Sequence, residues 1–437
     1  MRSDESPIPR EDQLFERMLC RENMLLAWKR VKANRGGSGV DGLSITESQD
    51  FIREHWHCIR RQLECGLYRP APVRRTEIPK ADGGTRQLGI PTVLDRVIQQ
   101  ALTLVLEPIF DPGFSDYSYG YRKGRSAPMA AKHIESKIQE GKTWAIDIDL
   151  SKFFDRVDHD LLMERVTRKV SDKRVLKLIG RYLRAGVSVD GLVQPTKLGV
   201  PQGGPLSPLL ANIMLDDLDK EIEKRGHIFA RYADDFVILV NSEIAAHRVM
   251  SRLRNFITTK LKLVMNEKKS KVVRSTKARF LGFTFTRKKV RLTEESLADF
   301  HHELKEKTKR NWGVSIYKRI KSLNELIRGW MGYFKISTYY KPVEHIDQWI
   351  RRRLRACIWK QWRKPRTKIR NLIALGVPEV EAIKTGSSSK SYWKLSKTAA
   401  THTGLSLQYF EDLGLVSVKQ LWIDFHYPKP IKEYRYM

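Results

Sequence analysis

The chain has 437 residues, of which 41% are hydrophobic and 30% are charged. A chain of this length and composition can bury more than one apolar core, and it contains no low-complexity region. Lysine and arginine total 81 against 50 aspartate and glutamate residues, so the formal net charge is +31. An excess of this size favours a polyanionic partner, and it points to nucleic acid before an anionic membrane surface.

The sequence argues against three other classes of protein. No apolar run approaches the roughly 20 residues that a membrane-spanning helix needs, and the polar N-terminus does not resemble a signal peptide. The four cysteines include no CxxC pair, which argues against a zinc finger and against a disulfide framework. We therefore expect a soluble protein of a reducing compartment, without a membrane partner.

The N-terminal part of the chain predicts helices and one hairpin. Residues 11–34 have helical periodicity, and a glycine-rich loop follows at 35–42. The apolar stripe of this first helix consists of Phe15, Met18, Leu25, Leu26, Trp28 and Val31. Residues 73–91 predict a β-hairpin that turns at 82–84, and a second helical pattern follows at 93–110.

The middle of the chain alternates strands and helices. The predicted strands lie at 143–150, 228–240 (two short strands), 271–274 and 279–292, with a further hairpin at 187–198. Residues 159–184 are predicted to be mostly helical, and further helices are predicted at 206–225 and 243–261. This order is typical of a split β-α-β unit with an antiparallel sheet.

The composition changes after about residue 300. Residues 301–370 carry 20 lysines or arginines and five acidic residues, near half of the total charge excess, and their pattern is helical. Within 345–362 an apolar stripe consists of Ile346, Ile350, Leu354, Ile358 and Trp362. Much of the remaining surface of that helix is predicted to carry Arg351, Arg352, Arg353 and Arg355. A basic surface with aromatic residues suits phosphate neutralisation and base stacking, but solvated arginines on a helical bundle have the same pattern.

Two acidic clusters are the candidate catalytic residues. Asp234 and Asp235 lie between two apolar strands, and Asp147 and Asp149 close another apolar strand, where they share one face. If the two strands are neighbours, these carboxylates converge at a point where only divalent cations can neutralise them. Carboxylate oxygens are hard ligands, so the metal ion that they indicate is Mg²⁺. Two such ions activate a 3′-hydroxyl and stabilise a departing pyrophosphate. Asp234 and Asp235 considered alone also fit an ordinary Asp-rich turn.

A series of motifs resembles, in the same order, those of group II intron reverse transcriptases/maturases. The resemblance covers about residues 10 to 375. Its motifs are IPK…RQLGIP at 78–91, YSYGYR at 117–122, the first metal-binding motif DLSKFFD at 149–155, the PQG motif at 199–212, the YxDD box at 232–235, FLGF at 280–283 and the maturase domain X signature RGWMGYF at 328–334.

This resemblance implies an α+β right-hand polymerase. Fingers interleaved with palm would span 1–140, and the palm, with a split β-α-β antiparallel sheet, 141–295. An α-helical thumb, or maturase domain X, would span 296–375, followed by a basic extension at 376–437 that is a candidate for DNA binding. The implied function is RNA-directed DNA synthesis, joined to binding of the parent group II intron RNA for splicing and for retrohoming by target-primed reverse transcription.

The resemblance also implies partners and a location. An RNA template, a DNA primer or target and dNTPs would be bound in addition to the intron RNA. The protein would work in the bacterial cytoplasm, associated with RNA or the nucleoid, and its oligomeric state stays open.

The family pattern assigns the site residues. Asp149, Asp234 and Asp235 would be catalytic and hold two Mg²⁺ ions, while Asp147 and Asp155 are weaker candidates. The residues expected to bind the incoming dNTP are Lys80, Arg86, Phe154, Gln202 and Lys269.

Each of these five residues would have a distinct role in dNTP binding. Lys80 and Arg86 flank a hairpin turn and would close over the triphosphate. Phe154 would exclude a 2′-hydroxyl from the sugar site, and Gln202 would donate to the sugar or its 3′-hydroxyl. Lys269 would lie near the pyrophosphate, although Lys268 and Lys271 compete for that role. The expected nucleic-acid contacts are Gly89, Pro91, Gly203, Arg351, Arg352 and Arg355.

The C-terminal segment lacks the residues of a zinc-associated HNH nuclease. Residues 376–437 contain no cysteine and only two histidines, His402 and His426. This is similar to the endonuclease-lacking members of the family that are associated with group IIC introns. Two alternatives stay open: a non-enzymatic RNA-binding splicing factor, and a domesticated reverse transcriptase in phage defence or DNA repair.

Overall fold

The structure, a computed structural model, describes residues 13–79, 84–189 and 192–428. The chain divides into two compact units, one ending at Ser275 and the other beginning at Thr276. Within the described ranges, no helix combines the length and the apolar character needed to cross a membrane.

The first unit mixes helices and strands. Its helices are α1 (Leu14–Leu19), α2 (Arg21–Ala33), α3 (Ile45–Glu64), α4 (Val93–Phe110), α5 (Ala127–Gln139), α6 (Phe153–Arg156), α7 (His159–Thr167), α8 (Lys173–Leu183), α9 (Ser207–Lys224) and α10 (Glu243–Thr259). Its strands are β1 (Val73–Pro79), β2 (Thr85–Ile90), β3 (Trp144–Asp149), β4 (Val187–Val189), β5 (Leu192–Gln194), β6 (Ile228–Tyr232), β7 (Asp235–Val240) and β8 (Lys271–Arg274).

The central sheet of this unit has the strand order β6-β7-β3-β8, and its neighbouring strands are all antiparallel. Strand β3 is therefore interior, and its residues Ile146 and Ile148 are fully buried. Helices α9 and α10, which precede β6 and follow β7, contribute buried residues to the same core. The split β-α-β arrangement with an antiparallel sheet is confirmed.

A second sheet has the order β2-β1-β4-β5. The predicted hairpin is confirmed, with β1 and β2 antiparallel from Arg74 opposite Ile90 to Pro79 opposite Thr85. Strand β4 joins β1 in parallel, starting with Val73 opposite Val187. Helix α4 begins directly after this hairpin, where the side chain of Thr92 accepts a hydrogen bond from the backbone N–H of Asp95.

The second unit is mostly helical. Its strands are β9 (Arg279–Phe280), β10 (Phe283–Phe285) and β11 (Val290–Leu292). Its helices are α11 (Glu294–Lys307), α12 (Ile316–Phe334), α13 (Lys341–Gln361), α14 (Pro365–Ala374), α15 (Glu379–Gly386), α16 (Tyr392–Leu395), α17 (Ala399–Gly404), α18 (Leu407–Asp412) and α19 (Val418–His426). The predicted stripe of α13 is buried from Ile346 to Ile358, in the core that α11, α12 and α19 share.

The unit boundary at Ser275 differs from the predicted end of the palm at 295. Strands β9, β10 and β11 form a sheet of their own with the order β11-β10-β9. They follow the boundary and therefore belong to the mostly helical unit.

Two predictions about helices are wrong. The helix expected at 11–34 is broken at Cys20, whose backbone is extended with ψ 149°. Because α2 starts anew at Arg21 and buries Ala27 and Val31, Leu25 and Leu26 stay 58% and 43% exposed rather than joining a single buried stripe. The second wrong prediction concerns 384–397, where the serine-rich and basic sequence predicts a loop but the structure contains the end of α15 and all of α16.

Candidate active site

The predicted catalytic aspartates meet at one end of the central sheet. Strands β6 and β7 form a hairpin in which Tyr232 is opposite Asp235, so Ala233 and Asp234 make the turn. On the other side of β7, Asp149 at the end of β3 is directly opposite Asp235. Register thus brings the motif at 149 and the motif at 234–235 together.

Burial and the repulsion between like charges both act on the carboxylates at this end of the sheet. Desolvation raises the pKa of Asp235 to about 7, and repulsion from Asp147, Asp234 and Asp149 adds to that shift. Desolvation also raises the pKa of Asp147 to about 6, with Asp149 repelling it and Lys271 attracting it. A cation bound among these carboxylates would lower the pKa of Asp235 and favour its ionised form.

Asp149 is fixed by the loop that precedes β8. Its backbone N–H donates to the Ser270 hydroxyl at 3.1 Å, and the Asn266 side-chain amide donates to its carboxylate at 3.3 Å. The N–H of Asn266 also donates to the carbonyl of Asp149 at 2.8 Å. Among the described residues, no three His, Cys, Asp or Glu side chains form a ready-made metal site. The structure thus assembles acidic oxygens at this point without closing them into a cage.

A buried arginine that was not among the predicted site residues supports the aspartate turn. Arg231 is fully buried, and its guanidinium donates to both carboxylate oxygens of Asp219 at 2.6–3.0 Å. It also donates to the side-chain oxygen of Asn212 and to the carbonyl of Ala233, both at 3.0 Å. One side chain therefore connects α9 to the turn that carries Asp234. The available signal was a charged residue inside an otherwise apolar strand.

The segment at 117–122 lies against the same turn. The N–H of Tyr119 donates to the carbonyl of Arg231 at 2.8 Å, and the N–H of Arg231 donates to the carbonyl of Tyr117 at 2.9 Å. A Cβ atom at Gly120 would lie 2.3 Å from the backbone nitrogen of Ala233. Glycine is therefore required at 120 for the two backbones to approach this closely.

A cavity of about 350 Å³ collects several of the predicted dNTP and nucleic-acid residues. Phe154, Gln202 and Gly89 line it, together with Lys152 and Asp155. Backbone bonds hold its walls together: the N–H of Val200 donates to the carbonyl of Phe154 at 2.7 Å, and the N–H of Gly89 donates to the carbonyl of Gln202 at 2.8 Å. The motifs at 78–91, 149–155 and 199–212 thus meet around one space.

Gly203 also lies close to the backbone of Gly89. Its φ is +131°, and a Cβ atom there would lie 2.7 Å from the carbonyl oxygen of Gly89. Pro91, also expected to contact nucleic acid, is buried instead, and its carbonyl carbon lies 3.0 Å from the Cβ position of Gly39. Its place is against the glycine-rich loop, because that loop folds over the start of α4.

The remaining dNTP candidates are Lys80, Arg86 and Lys269. Lys80 and the side chain of Arg86 lie outside the described residues. Lys269 is exposed, and its N–H donates at 3.2 Å to the carbonyl of Asn266 in the turn that holds Asp149. Lys271, a rival for the same role, lies opposite Asp147 in the sheet, and its ammonium is 3.9 Å from that carboxylate.

The three arginines expected to contact nucleic acid on α13 differ in burial. Arg351 and Arg352 are partly exposed. Arg355 was expected on the solvated side, but it is buried and donates to the carbonyl of Leu405 at 2.9 Å and to His402 at 3.3 Å. Its expected role as a solvent-facing contact is wrong, because a segment 50 residues further along the chain covers that side of the helix.

Comparison with known proteins finds two family matches in this chain. Residues 78–285 match the family described as reverse transcriptase (RNA-dependent DNA polymerase), and residues 297–374 match the group II intron, maturase-specific domain. The chain is 33% identical over 324 residues to the Escherichia coli (strain K12) protein YkfC, covering 64% of this chain and 85% of that protein.

Two further similarities are less complete. The group II intron-encoded protein LtrA of Lactococcus lactis is 31% identical over 337 residues, which cover 62% of this chain and 56% of LtrA. A solved structure titled "Partial Cas6-RT-Cas1--Cas2 complex" is 25% identical, with a TM-score of 0.37, and covers 57% of this chain and 43% of that chain.

The sheet with its paired aspartates and the matched domain define the class of the protein, which is an RNA-directed DNA polymerase. The second matched domain narrows this class. The chain belongs to the family of group II intron-encoded reverse transcriptases/maturases.

Proposed function

We propose that the chain copies RNA into DNA by two-metal-ion nucleotidyl transfer, with Asp149, Asp234 and Asp235 as the metal ligands. The observation that carries this proposal is the register of Asp149 opposite Asp235, next to the turn that bears Asp234. Their oxygens are the hard donors that Mg²⁺ prefers. Asp235 is also repelled by three neighbouring carboxylates, and a bound cation would offset that repulsion. When bound, Mg²⁺ supplies charge neutralisation and lowers the pKa of a coordinated hydroxyl.

The chain's own residues position the reactants. The turn at 233–234 is held from behind by Arg231, so the carboxylates need little reorganisation when substrate arrives. In the cavity beside the PQG motif, Phe154 would pack against the sugar and Gln202 would donate to it. Lys80, Arg86 and Lys269 would contact the phosphates of the dNTP as cations. Gly89 and Gly203 would let the template approach the backbone closely.

The second unit would bind the parent group II intron RNA and assist its splicing. The match of residues 297–374 to the maturase-specific domain supports this role, as does the excess of lysine and arginine in 301–370. Arg351 and Arg352 would contact RNA phosphates. Retrohoming by target-primed reverse transcription would join the two activities, in the cytoplasm and with dNTPs, RNA template and DNA primer as further partners.

Primer extension on an RNA template tests the polymerase proposal. Wild-type protein should extend a DNA primer with Mg²⁺ and dNTPs, and Asp234→Asn should lose most of that activity because one anionic ligand is removed. The matched control is Asp50→Asn, an exposed aspartate on α3 that should leave the rate unchanged. A wild-type-like rate in Asp234→Asn would contradict the metal assignment.

The same preparations separate the alternatives. A protein that stimulates intron splicing but never extends a primer would be a non-enzymatic splicing factor. A protein that extends primers but does not bind intron RNA would fit a domesticated reverse transcriptase in phage defence or DNA repair.

A further inference from the structure

A second cavity, of about 610 Å³, lies wholly within the mostly helical unit. Its walls come from the end of α11 with the residues that follow it, from α13, and from α16. The volume falls within the range of about 300–1,000 Å³ that is typical of small-molecule sites, and it exceeds what a lone phosphate needs. Nothing in the catalytic proposal uses this cavity.

The cavity is strongly cationic. Five of its eleven lining residues are lysine or arginine, and none is aspartate or glutamate. Glu306, which is adjacent in sequence to the lining residue Lys305, forms an ion pair with Lys309 at 2.5 Å. Burial lowers the pKa of the Arg353 guanidinium, and repulsion from Arg310 and Arg319 lowers it further, against attraction from Glu306. An anionic ligand would relieve this repulsion.

Two tryptophans of the cavity wall, Trp349 and Trp393, each lie against an arginine of α13. The guanidinium of Arg352 lies 3.7 Å from the ring centre of Trp393, and that of Arg353 lies 4.9 Å from the ring centre of Trp349. Trp393 is still 38% exposed, so part of its indole is open to a ligand. A ring held against a guanidinium is fixed in position before any ligand arrives, which favours stacking of a nucleobase on it.

The cations divide into those that build the wall and those that are open to a ligand. Arg353 donates one hydrogen bond to the Thr308 hydroxyl and another, at 3.1 Å, to the carbonyl of Lys305. It therefore connects α13 to the end of α11. Arg310 and the side chain of Lys305 are exposed at the rim, and Lys360 is partly exposed. Rim cations of this kind can reach the phosphates on either side of a base.

We propose that this cavity binds one unpaired nucleotide of the intron RNA, with its base stacked on Trp393 and its phosphates contacted by Lys305, Arg310 and Lys360. The proposal rests on the proposed function, which supplies the RNA. Intron RNA is preferred over the DNA strands because the α11 and α13 walls lie within residues 297–374, the maturase-specific match. Proteins recognise unpaired RNA bases by splaying them out and stacking them on aromatic side chains.

The test uses the full chain and filter binding of the intron RNA over a salt series. Trp393→Ala should weaken binding by roughly 5- to 100-fold with an unchanged salt slope, because stacking carries no charge. Trp393→Phe should restore most of the affinity. Lys305→Gln/Arg310→Gln should weaken binding and reduce the salt slope by about one unit for each phosphate that is no longer neutralised.

Two controls are matched to these changes. Phe51→Ala removes a 39%-exposed aromatic residue on α3, and Lys224→Gln removes an exposed cation on α9, and both should bind like wild type. Circular dichroism and thermal melting establish that each variant folds. Should Trp393→Ala fail to fold, the lysine–arginine variant and its salt slope decide the question.

The outcomes distinguish an error in the cavity assignment from an error in the proposed function. If wild type neither binds intron RNA nor extends a primer, the proposed function and the RNA ligand are both wrong. If wild type does both, but the folded cavity variants bind intron RNA normally at every salt concentration, only the cavity assignment is wrong. Normal intron binding with weakened binding of a primer–template would assign the cavity to the template strand and overturn the proposal.

Discussion

The guanidinium of Arg231 donates a hydrogen bond to the carbonyl oxygen of Ala233 at 3.0 Å, inside the turn that carries Asp234. Ala233 has a φ of +60°, a conformation that costs energy for a residue with a side chain. The bond satisfies the carbonyl of this turn residue from within the core. Arg231 is in turn held by Asp219, so the position of the catalytic turn depends on a buried ion pair.

The first prediction concerns this ion pair. Asp219→Ala leaves the fully buried Arg231 charge without its carboxylate, and breaking a buried pair in this way costs about 3–5 kcal/mol. The free energy of unfolding, measured by chemical denaturation, should fall by that amount. Glu64→Ala breaks an exposed pair with Arg60 and should cost less than about 1 kcal/mol. Equal losses in the two variants would contradict the role assigned to Asp219.

The second prediction concerns the close approach of two backbones behind the turn. Gly120→Ala places a Cβ atom 2.3 Å from the nitrogen of Ala233, so the turn must shift. Misplacement of catalytic groups by about 1 Å can cost roughly 100-fold in rate, and primer extension should fall by about that factor while intron binding is kept.

The control for this change is another glycine. Gly329→Ala lies on an exposed part of α12 with no atom within 4 Å of the new Cβ, so it should leave both activities unchanged and stabilise the helix slightly. Wild-type extension by Gly120→Ala would mean that the turn tolerates displacement.

The third prediction concerns sugar choice. Phe154 lines the cavity beside Gln202, so Phe154→Ala should make room for a 2′-hydroxyl and raise rNTP use relative to dNTP use by roughly tenfold or more. Single-nucleotide incorporation kinetics measure the ratio. Phe153→Ala is the matched control, because Phe153 is a buried neighbour in the core and its loss should reduce stability without changing the ratio. An unchanged ratio in Phe154→Ala would mean that a different residue excludes the 2′-hydroxyl.

The sequence predicts best those features that depend on local patterns. The hairpin at 73–91 and the strands around Asp149 and Asp234 have strong alternation and turn residues, and each is found where expected. The meeting of the two acidic motifs could also be anticipated, because a split β-α-β order makes β3 and β7 neighbours.

Features that depend on distant packing could not be predicted. The break at Cys20 has no glycine or proline to mark it. The buried state of Arg355 depends on a bond to Leu405, which lies 50 residues away and leaves no trace in the periodicity of α13. Arg231 gave a signal as a charge in an apolar strand, but its partner on α9 is recognisable only once the fold is known.

The last prediction separates synthesis from splicing. Because the RNA supplies the splicing chemistry, the protein needs only to stabilise the folded intron. Asp234→Asn/Asp235→Asn should therefore keep intron affinity and splicing stimulation while DNA synthesis is lost. Filter binding, a splicing assay and primer extension on the same preparation measure the three activities. Parallel loss of splicing and synthesis in a folded variant would show that the palm carboxylates also support the intron.

The arginines of α13 provide the converse test. Arg351→Glu/Arg352→Glu should weaken intron binding and flatten its salt dependence by about one unit of slope for each phosphate left unneutralised, with primer extension kept. Arg355→Gln should instead lower the melting temperature, because it breaks the buried bond to Leu405, and its salt slope should match wild type. If the Arg351/Arg352 variant binds intron RNA normally at every salt concentration, those arginines are a solvated helix face and the RNA surface lies elsewhere.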